Sequence, residues 1–486
     1  MAEMRADATA RPALGDWLAP LAAALVTAVA LMNGSLLLGD PDIQWHLAAG
    51  RWIAQHLTIP DRDVFSHSMP GAPWHAHEWL AELLFWWAYR IAGWAGVVAV
   101  SAAAAGLAFG LLASRLLRSL EPRHAMLLCA AAFAVVSQHM IARPHVLAWP
   151  LLVFWAAMLC RAAESRSAPP LAGAAMLALW ANLHGGYVFG LALAGFFALE
   201  ALWSAAAEER LRLLRGWAAF LAASLLASLI APQEPAAGIR FAFGFLDGGG
   251  FIAPIAEWAP ADFGTVSGLE VVLLGMLALA LSGRFQLPAF RILLLVGLVH
   301  LSLAHVRHGE LLGLVGPLAV APALGKWLAP SLAQRKDASH AARGAAAGLV
   351  ALAILLWAGL AKPEPPASVA PAAALAAARE AGVADDAVLN AFDFGGFLIG
   401  QGVPVFIDGR ADFYGEEFIS DYLDAVRSAK PGALEALLER YAIGWTMLQA
   451  GTPAALLLDR LPGWVRIHAD ETAVVHRRLA PSGSVP

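Results

Sequence analysis

Eleven apolar runs, separated by polar connections of which two are long, constrain this chain more than any other feature of it. They cover about 17–38, 94–114, 125–138, 145–160, 170–183, 187–206, 216–231, 267–283, 287–304, 309–328 and 344–361. A helix that crosses a bilayer takes roughly 20 apolar residues, with a range of about 17–25. Of the 486 residues 59% are hydrophobic and 14% charged, against about 25% charged in a soluble domain. A chain so long and so poor in charge reads as an α-helical polytopic membrane protein of about eleven transmembrane helices. Its net charge is −5 and it has no basic tract, which excludes nucleic acid as a partner.

The run 78–92 (EWLAELLFWWAYRIA) is apolar but different. It opens on Glu78 and Glu82 and carries Trp79, Trp86, Trp87 and Tyr89. Such aromatic enrichment suits the membrane–water boundary, so this run is expected to lie at or dip into the surface. The charges favour the same choice. With the N-terminus inside, the inner loops hold Arg115, Arg118 and Arg123, then Arg161 and Arg166, then Arg210, Arg212 and Arg215, then Arg284, and last Lys326, Arg335, Lys336 and Arg343. The outer loops before the tail hold Arg51, Arg62, Arg90, Arg143, Arg240 and Arg307. This is the positive-inside distribution, and counting 78–92 as a span would invert it. Arg5 and Arg11 precede a first run too long for a signal-peptide core, which reads as an uncleaved anchor.

The expected organisation is a membrane domain over 1–361 with its first outer loop at 39–93, a proline-rich linker at 362–370, and an extracytoplasmic α/β domain over 371–486. In that last part the apolar runs shrink to strand length at 387–390, 403–409 and 443–449 and in the pair WVRIHAD and TAVVHRR. Helical stretches intervene near 369–381, 415–428, 431–441 and 452–460. Cys129 and Cys160 both lie in apolar runs, so the tail has no disulfide.

On this map every polar cluster falls on the outer face, which points to a shared aqueous cavity there. The densest is 40–79, with Asp40, Asp42, Asp61 and Asp63, five histidines and Glu78. A carboxylate where a span meets the interface serves as a general base or holds a metal or a sugar hydroxyl. Helix capping is the alternative, since DPDIQWHLAAGRW reads as a capped helix start with Pro41 just inside. Trp45, Leu47–Ala49 and Trp52–Ile53 then make an amphipathic face. His75, His77 and Glu78 could bind a divalent metal with Asp42, or hydrogen-bond substrate. Metal is the one cofactor left open, with Asp42, His75 and His77 as its candidate ligands. Arg143, beside His139 and His145, and the cluster His305, Arg307 and His308 suit a lipid phosphate, because arginine forks fit phosphate oxygens; snorkelling to headgroups is the alternative. His184, in ANLHGG, and Glu257, in AEWAP, read as substrate contacts or as packing and solvated groups. In the tail, Asp408, Arg410, Asp412 and Tyr414 crowd the end of a run, as a ligand site or as a network tying the domain to the membrane part.

The first outer loop resembles that of the GT-C superfamily, integral membrane glycosyltransferases that use polyprenyl-phosphate-linked sugars. The similarity lies in Asp42, the Trp45–His46 pair, the small-residue helix Ala48–Arg51 and the Pro60–Asp63 turn. Asp-Pro-Asp stands where many members have adjacent acids, and PWHAHEW (73–79) replaces their proline-tyrosine helix, so the acceptor class does not carry over. The whole layout, with WANLHGG (180–186) and FIDGRADFYG (406–415), is similar to bacterial GT-C-like proteins without an assigned substrate. The resemblance implies catalytic roles for Asp42 first and Asp40 second. It implies transfer of a sugar or related group from a polyprenyl-phosphate carrier, a membrane lipid, to an acceptor it does not identify, at the outer face of a bacterial inner membrane. Two other classes stand beside it, a transporter or flippase of lipid-linked substrates and a non-catalytic membrane scaffold. A transporter would carry repeats with broken helices, and none is seen.

Overall fold

The computed structural model describes residues 14–231, 258–328 and 340–479. Every one of the eleven apolar runs is helical there. The membrane part comprises α1 (Leu14–Met32), the surface helix α2 (Ile43–His56), α3 (Trp79–Leu116), α4 (Pro122–Val136), α5 (Pro144–Glu164), α6 (Ala175–Leu183), α7 (Tyr187–Trp203), α8 (Ala207–Ser228), α9 (Gly268–Leu281), α10 (Ala289–Ala304), α11 (Gly309–Leu328) and α12 (His340–Leu360). Among the described residues, four helices are long and apolar enough to cross a membrane: Trp79–Leu116, Pro144–Glu164, Ala207–Ser228 and Val306–Leu328.

Local signals set the helix ends. Pro122 and Pro144 open α4 and α5 at the position where a missing N–H costs nothing. Ser267 caps α9 by accepting the Glu270 amide at 3.2 Å, the S-x-x-E arrangement. The helix α3 changes direction at Ala92 and at Gly93 (φ 59°), a conformation open to glycine and not to side chains with a Cβ. That break divides the aromatic run 78–92 from the apolar run that follows.

The outer surface of the bundle is apolar, with Leu274, Leu277 and Leu281 of α9 and Leu293 and Val296 of α10 exposed, as lipid contact requires. Trp149, Trp155, Trp217 and Phe109 fill the interior. One charged group is sealed between helices: Arg291 of α10 donates through Nε to Glu200 of α7 at 2.7 Å and lies 3.5 Å from Glu164 of α5.

The tail is a four-stranded mixed sheet with helices around it. Strand β1 (Val388–Asn390) runs parallel to β2 (Trp445–Gln449); β4 (Ala473–Arg478) pairs antiparallel with both β2 and β3 (Trp464–Ala469), giving the order β1-β2-β4-β3. The tail helices are α13 (Ala372–Glu380), α14 (Gly395–Gly400), α15 (Ala411–Val426), α16 (Ala433–Arg440) and α17 (Pro453–Leu458). The run 403–409 is not a strand of this sheet. Val405 instead exchanges backbone hydrogen bonds with the first outer loop, to Phe65 at 3.1 Å and from His67 at 2.9 Å. The Asn390 side chain takes the place of a neighbouring strand, accepting from the Phe406 amide at 2.8 Å and donating to the Ile407 carbonyl at 2.7 Å.

The tail and the first loop share one apolar core. Trp45, Ala49, Trp74 and Ala76 are buried against Phe394, Phe397, Leu398, Val403 and Val405. At its edge Arg410 is buried in a polar pin. It donates to Asp63 at 2.8 Å and to Asp408 at 2.7 and 2.8 Å, and it lies over the Phe65, Trp74 and Phe413 rings. Burial opposes the guanidinium charge, but Asp408 and Asp63 outweigh it and raise the Arg410 pKa. Of the two roles open to this cluster, the geometry is that of a structural tie.

Candidate functional site

The Asp-Pro-Asp turn follows a short helical piece, Gly34–Leu37, that succeeds α1, and it starts α2. Asp40 accepts the Asp42 amide at 2.7 Å, so it is Asp40 that fixes the turn. Asp42 occupies the cap position of α2, yet its carboxylate makes no capping hydrogen bond. It is paired instead with Arg143 Nη2, while Nη1 lies 3.5 Å from Asp40. Pro144 keeps Arg143 extended at the mouth of α5, which aims its fork across 101 residues at the turn. The tail closes over this pair: a Cβ at Gly409 would fall on the Asp42 carboxylate, so only glycine lets the chain pass.

A second cluster centres on Glu78, at the entry to α3. His184 Nε2 lies 3.5 Å from its Oε1, His77 Nε2 4.0 Å from the same atom, and His46 Nε2 3.9 Å from Oε2. His46 also faces Glu82, with Nδ1 3.6 Å from Oε1. Glu78 and Glu82 are one turn apart and therefore share a helix face. Gly186 donates its amide to His184 Nδ1 at 3.0 Å, so in the neutral ring the proton sits on Nε2, toward Glu78. Trp79 ties the entry to the end of α6 by donating to Asn182 Oδ1 at 2.7 Å. Burial, more than the neighbouring cations that oppose it, lifts the Glu78 carboxyl above the usual range. Burial, aided by Arg143 and His77, holds His46 neutral, and burial, aided by His145 and Arg307, does the same for His184.

Arg307 belongs to the turn between α10 and α11 and lies over the Trp258 ring at 4.4 Å. His305 Nδ1 donates to the Trp258 carbonyl at 2.7 Å, and His308 packs edge-on to Trp258 and Phe189. These two histidines therefore frame the arginine. Arg143 and Arg307 both act electrostatically on Glu78 and on His184, and the tail's Asp412 acts on Glu78 as well. Of the sequence-predicted residues, Asp40, Asp42 and Arg143 thus form one ion-paired group, and His77, Glu78 and His184 form a second cluster.

The remaining expectations fall out as follows. Glu257 lies outside the described residues. His75 is exposed, and its carbonyl accepts from the His77 amide at 2.8 Å. Among the described residues no group of three or more His, Cys, Asp or Glu side chains is arranged to hold a metal ion, so Asp42, His75 and His77 do not form one. His139 accepts through its carbonyl from His145 Nε2 at 2.9 Å. Three nearby groups were not among the candidate site residues: His46 and Glu82, which face each other, and Glu310, which accepts from Trp149 Nε1 at 2.6 Å. The signal for Glu82 was present, since a second acid four residues after Glu78 on a tryptophan-rich helix has no solvating purpose.

Solved structures resemble this chain along most of its length. The Archaeoglobus fulgidus oligosaccharyltransferase AglB, in complex with an inhibitory peptide and a dolichol-phosphate, matches with a TM-score of 0.50 at 12% identity, over 89% of this chain and 69% of that one. The same enzyme tethered to an acceptor peptide matches with a TM-score of 0.52 at 12% identity and the same coverage. This chain shares the fold of that enzyme. ArnT from Cupriavidus metallidurans, bound to undecaprenyl phosphate, matches with a TM-score of 0.49 at 14% identity, over 98% of this chain and 100% of that one. No family profile matches the sequence, and no curated protein does. The chain itself joins a helical body, with four helices long and apolar enough to cross a membrane among the described residues, to a small C-terminal sheet domain.

Proposed function

We propose that the protein transfers a sugar, or a related group, from a polyprenyl-phosphate carrier to an acceptor at the outer face of a bacterial inner membrane. One observation carries the reading. Nε2 of His184, His77 and His46 stands 3.5–4.0 Å from the Glu78 carboxylate, and Arg143 and Arg307, from turns 164 residues apart in sequence, both pull its pKa down against burial. Two guanidinium groups beside a carboxylate–imidazole cluster suit a phosphate leaving group next to a group that handles a proton. The GT-C fold supports it, since AglB of the same fold has been solved with dolichol-phosphate.

In this reading Arg307 and Arg143 hold the carrier phosphate and stabilise it as it leaves. Asp42 and Asp40 keep Arg143 aimed and orient the acceptor. His184, His77 and Glu78 contact sugar or acceptor, with His305 and His308 fixing Arg307. Glu257 belongs to the set on sequence grounds. The tail, 371–486, lies outside the membrane and forms the site's roof through Gly409.

The test is transfer from labelled polyprenyl-phosphate sugars by the full chain in liposomes, across a panel of sugars. Arg307→Lys keeps the charge but loses the fork. Carrier KM should rise while thermal stability holds. Wild-type protein that moves no sugar from any carrier would overturn the reading.

A further inference from the structure

We propose that Glu78 is the carboxylate that takes the acceptor's proton during transfer, and that His46 and Glu82 position it. The proposal rests on the glycosyl-transfer reading and names a role that reading leaves unassigned.

The first-loop acids are poorly disposed for the task. Asp42 is buried, its Oδ2 is paired with Arg143, and the backbone at Gly409 packs on the rest of its carboxylate. Glu78 is different. Its side chain is 14% exposed, which leaves one edge for a substrate hydroxyl. The three imidazole nitrogens around it stand 3.5–4.0 Å away, beyond hydrogen-bond length, so its lone pairs are not spent on them.

Beneath Glu78 lies a buried couple with no evident structural purpose. His46 and Glu82 are each 1% exposed. His46 Nδ1 and Glu82 Oε2 have no hydrogen-bond partner. Buried polar atoms left unsatisfied cost about 1–3 kcal/mol each, and such exceptions concentrate where a group serves chemistry. The ring of His46 lies between the two acids, its Nδ1 3.6 Å from Glu82 and its Nε2 3.9 Å from Glu78, and limits where the Glu78 carboxylate can sit. A neutral His46 adds no charge that would weaken Glu78 as a base. Burial raises the Glu78 carboxyl against the pull of His77, Arg143 and Arg307, with Asp412 reinforcing the rise. A general base needs that direction of shift to act near neutral pH.

The step balances without a cofactor. The acceptor oxygen attacks the anomeric carbon, and the bond from that carbon to the carrier phosphate oxygen breaks. The bonding pair leaves on the phosphate, facing Arg143 and Arg307, and the hydroxyl proton passes to a Glu78 oxygen. His77, which is partly exposed, then passes the proton to water.

The experiment uses the full chain in liposomes with the labelled carrier sugar on which wild type is active. Glu78→Gln should lower kcat by about 10²–10⁴ with carrier binding unchanged. Because the active form is the carboxylate, the wild-type rate should rise as pH climbs through the raised Glu78 value, and that acidic limb should vanish in Glu78→Gln. His46→Phe should lower kcat, leave carrier KM alone and shift the limb, which a merely structural histidine would not do. If Glu78→Gln fails to assemble, Glu78→Asp must show lowered kcat with the limb retained, and wild-type kcat there would overturn the proposal. Wild-type activity and an intact acidic limb in Glu78→Gln would overturn this assignment alone. A wild type inert with every carrier would overturn the glycosyl-transfer reading and this assignment with it.

Discussion

Arg410→Met tests whether the tail is fastened to the membrane part by one buried cation. Methionine fills much of the space among the Phe65, Trp74 and Phe413 rings, so the packing loss is small. The electrostatic loss is not. Asp63 and Asp408 are fully buried on their side chains, and removing their cation leaves two charges uncompensated. Removing one member of a buried pair costs about 3–5 kcal/mol. Part of that is recovered locally. Asp63 still accepts from the Ser66 amide and hydroxyl at 2.9 and 2.7 Å, and Asp408 from the Tyr414 hydroxyl at 2.8 Å. The expected net cost is about 3 kcal/mol, a large share of the roughly 5–15 kcal/mol that holds a domain folded. The assay is thermal unfolding in detergent with limited proteolysis of the linker at 362–370. The variant should melt earlier and be cut faster. Adding Asp63→Asn and Asp408→Asn, which removes the stranded charges, should restore much of the loss. A variant Arg410→Met that melts and digests like wild type would refute the argument.

Three further outcomes are expected. Asp42→Asn should raise carrier KM and lower transfer with little loss of stability, because Asp42 makes no capping hydrogen bond and its charge serves Arg143; unchanged transfer kinetics would remove it from the site. Gly409→Ala should cost about 1–3 kcal/mol as an overpacked contact and displace the Asp42 carboxylate, read as a lowered melting temperature with reduced transfer. A reporter active only outside the cytoplasm should be active after Pro365 and inactive within 331–342; the reverse at both sites would overturn the orientation.

Much of the helical body was legible because apolar composition alone dictates helix in a bilayer, and Pro122, Pro144 and Ser267 mark their own helix starts. The misread strand at 403–409 shows the limit. Its short apolar run has the length of a strand, but its backbone partners are Phe65 and His67, more than 330 residues earlier in the sequence. The same holds at the site. Asp42 and Arg143 were each conspicuous as isolated charges, yet their pairing depends on where α5 begins relative to α1, which no local pattern encodes. His46 stood out only as part of the Trp45–His46 pair, because a histidine inside an amphipathic helix shows no role until Glu78 and Glu82 are brought onto its two nitrogens.

The contact between Asp63 and Arg410 spans 347 residues of chain. A ribosome adding about 5–20 residues per second takes roughly 20–70 s to cover that distance. Throughout that interval the first loop lacks the tail's cover over Trp45 and Trp74, and Asp63 lacks its arginine. Maturation of this loop is therefore deferred until residue 410 emerges, and nascent chains halted before residue 400 should be cut by protease within 60–75 where finished protein is spared. Any truncation in the tail is felt first at the opposite end of the gene product, as an exposed, aromatic, degradation-prone loop.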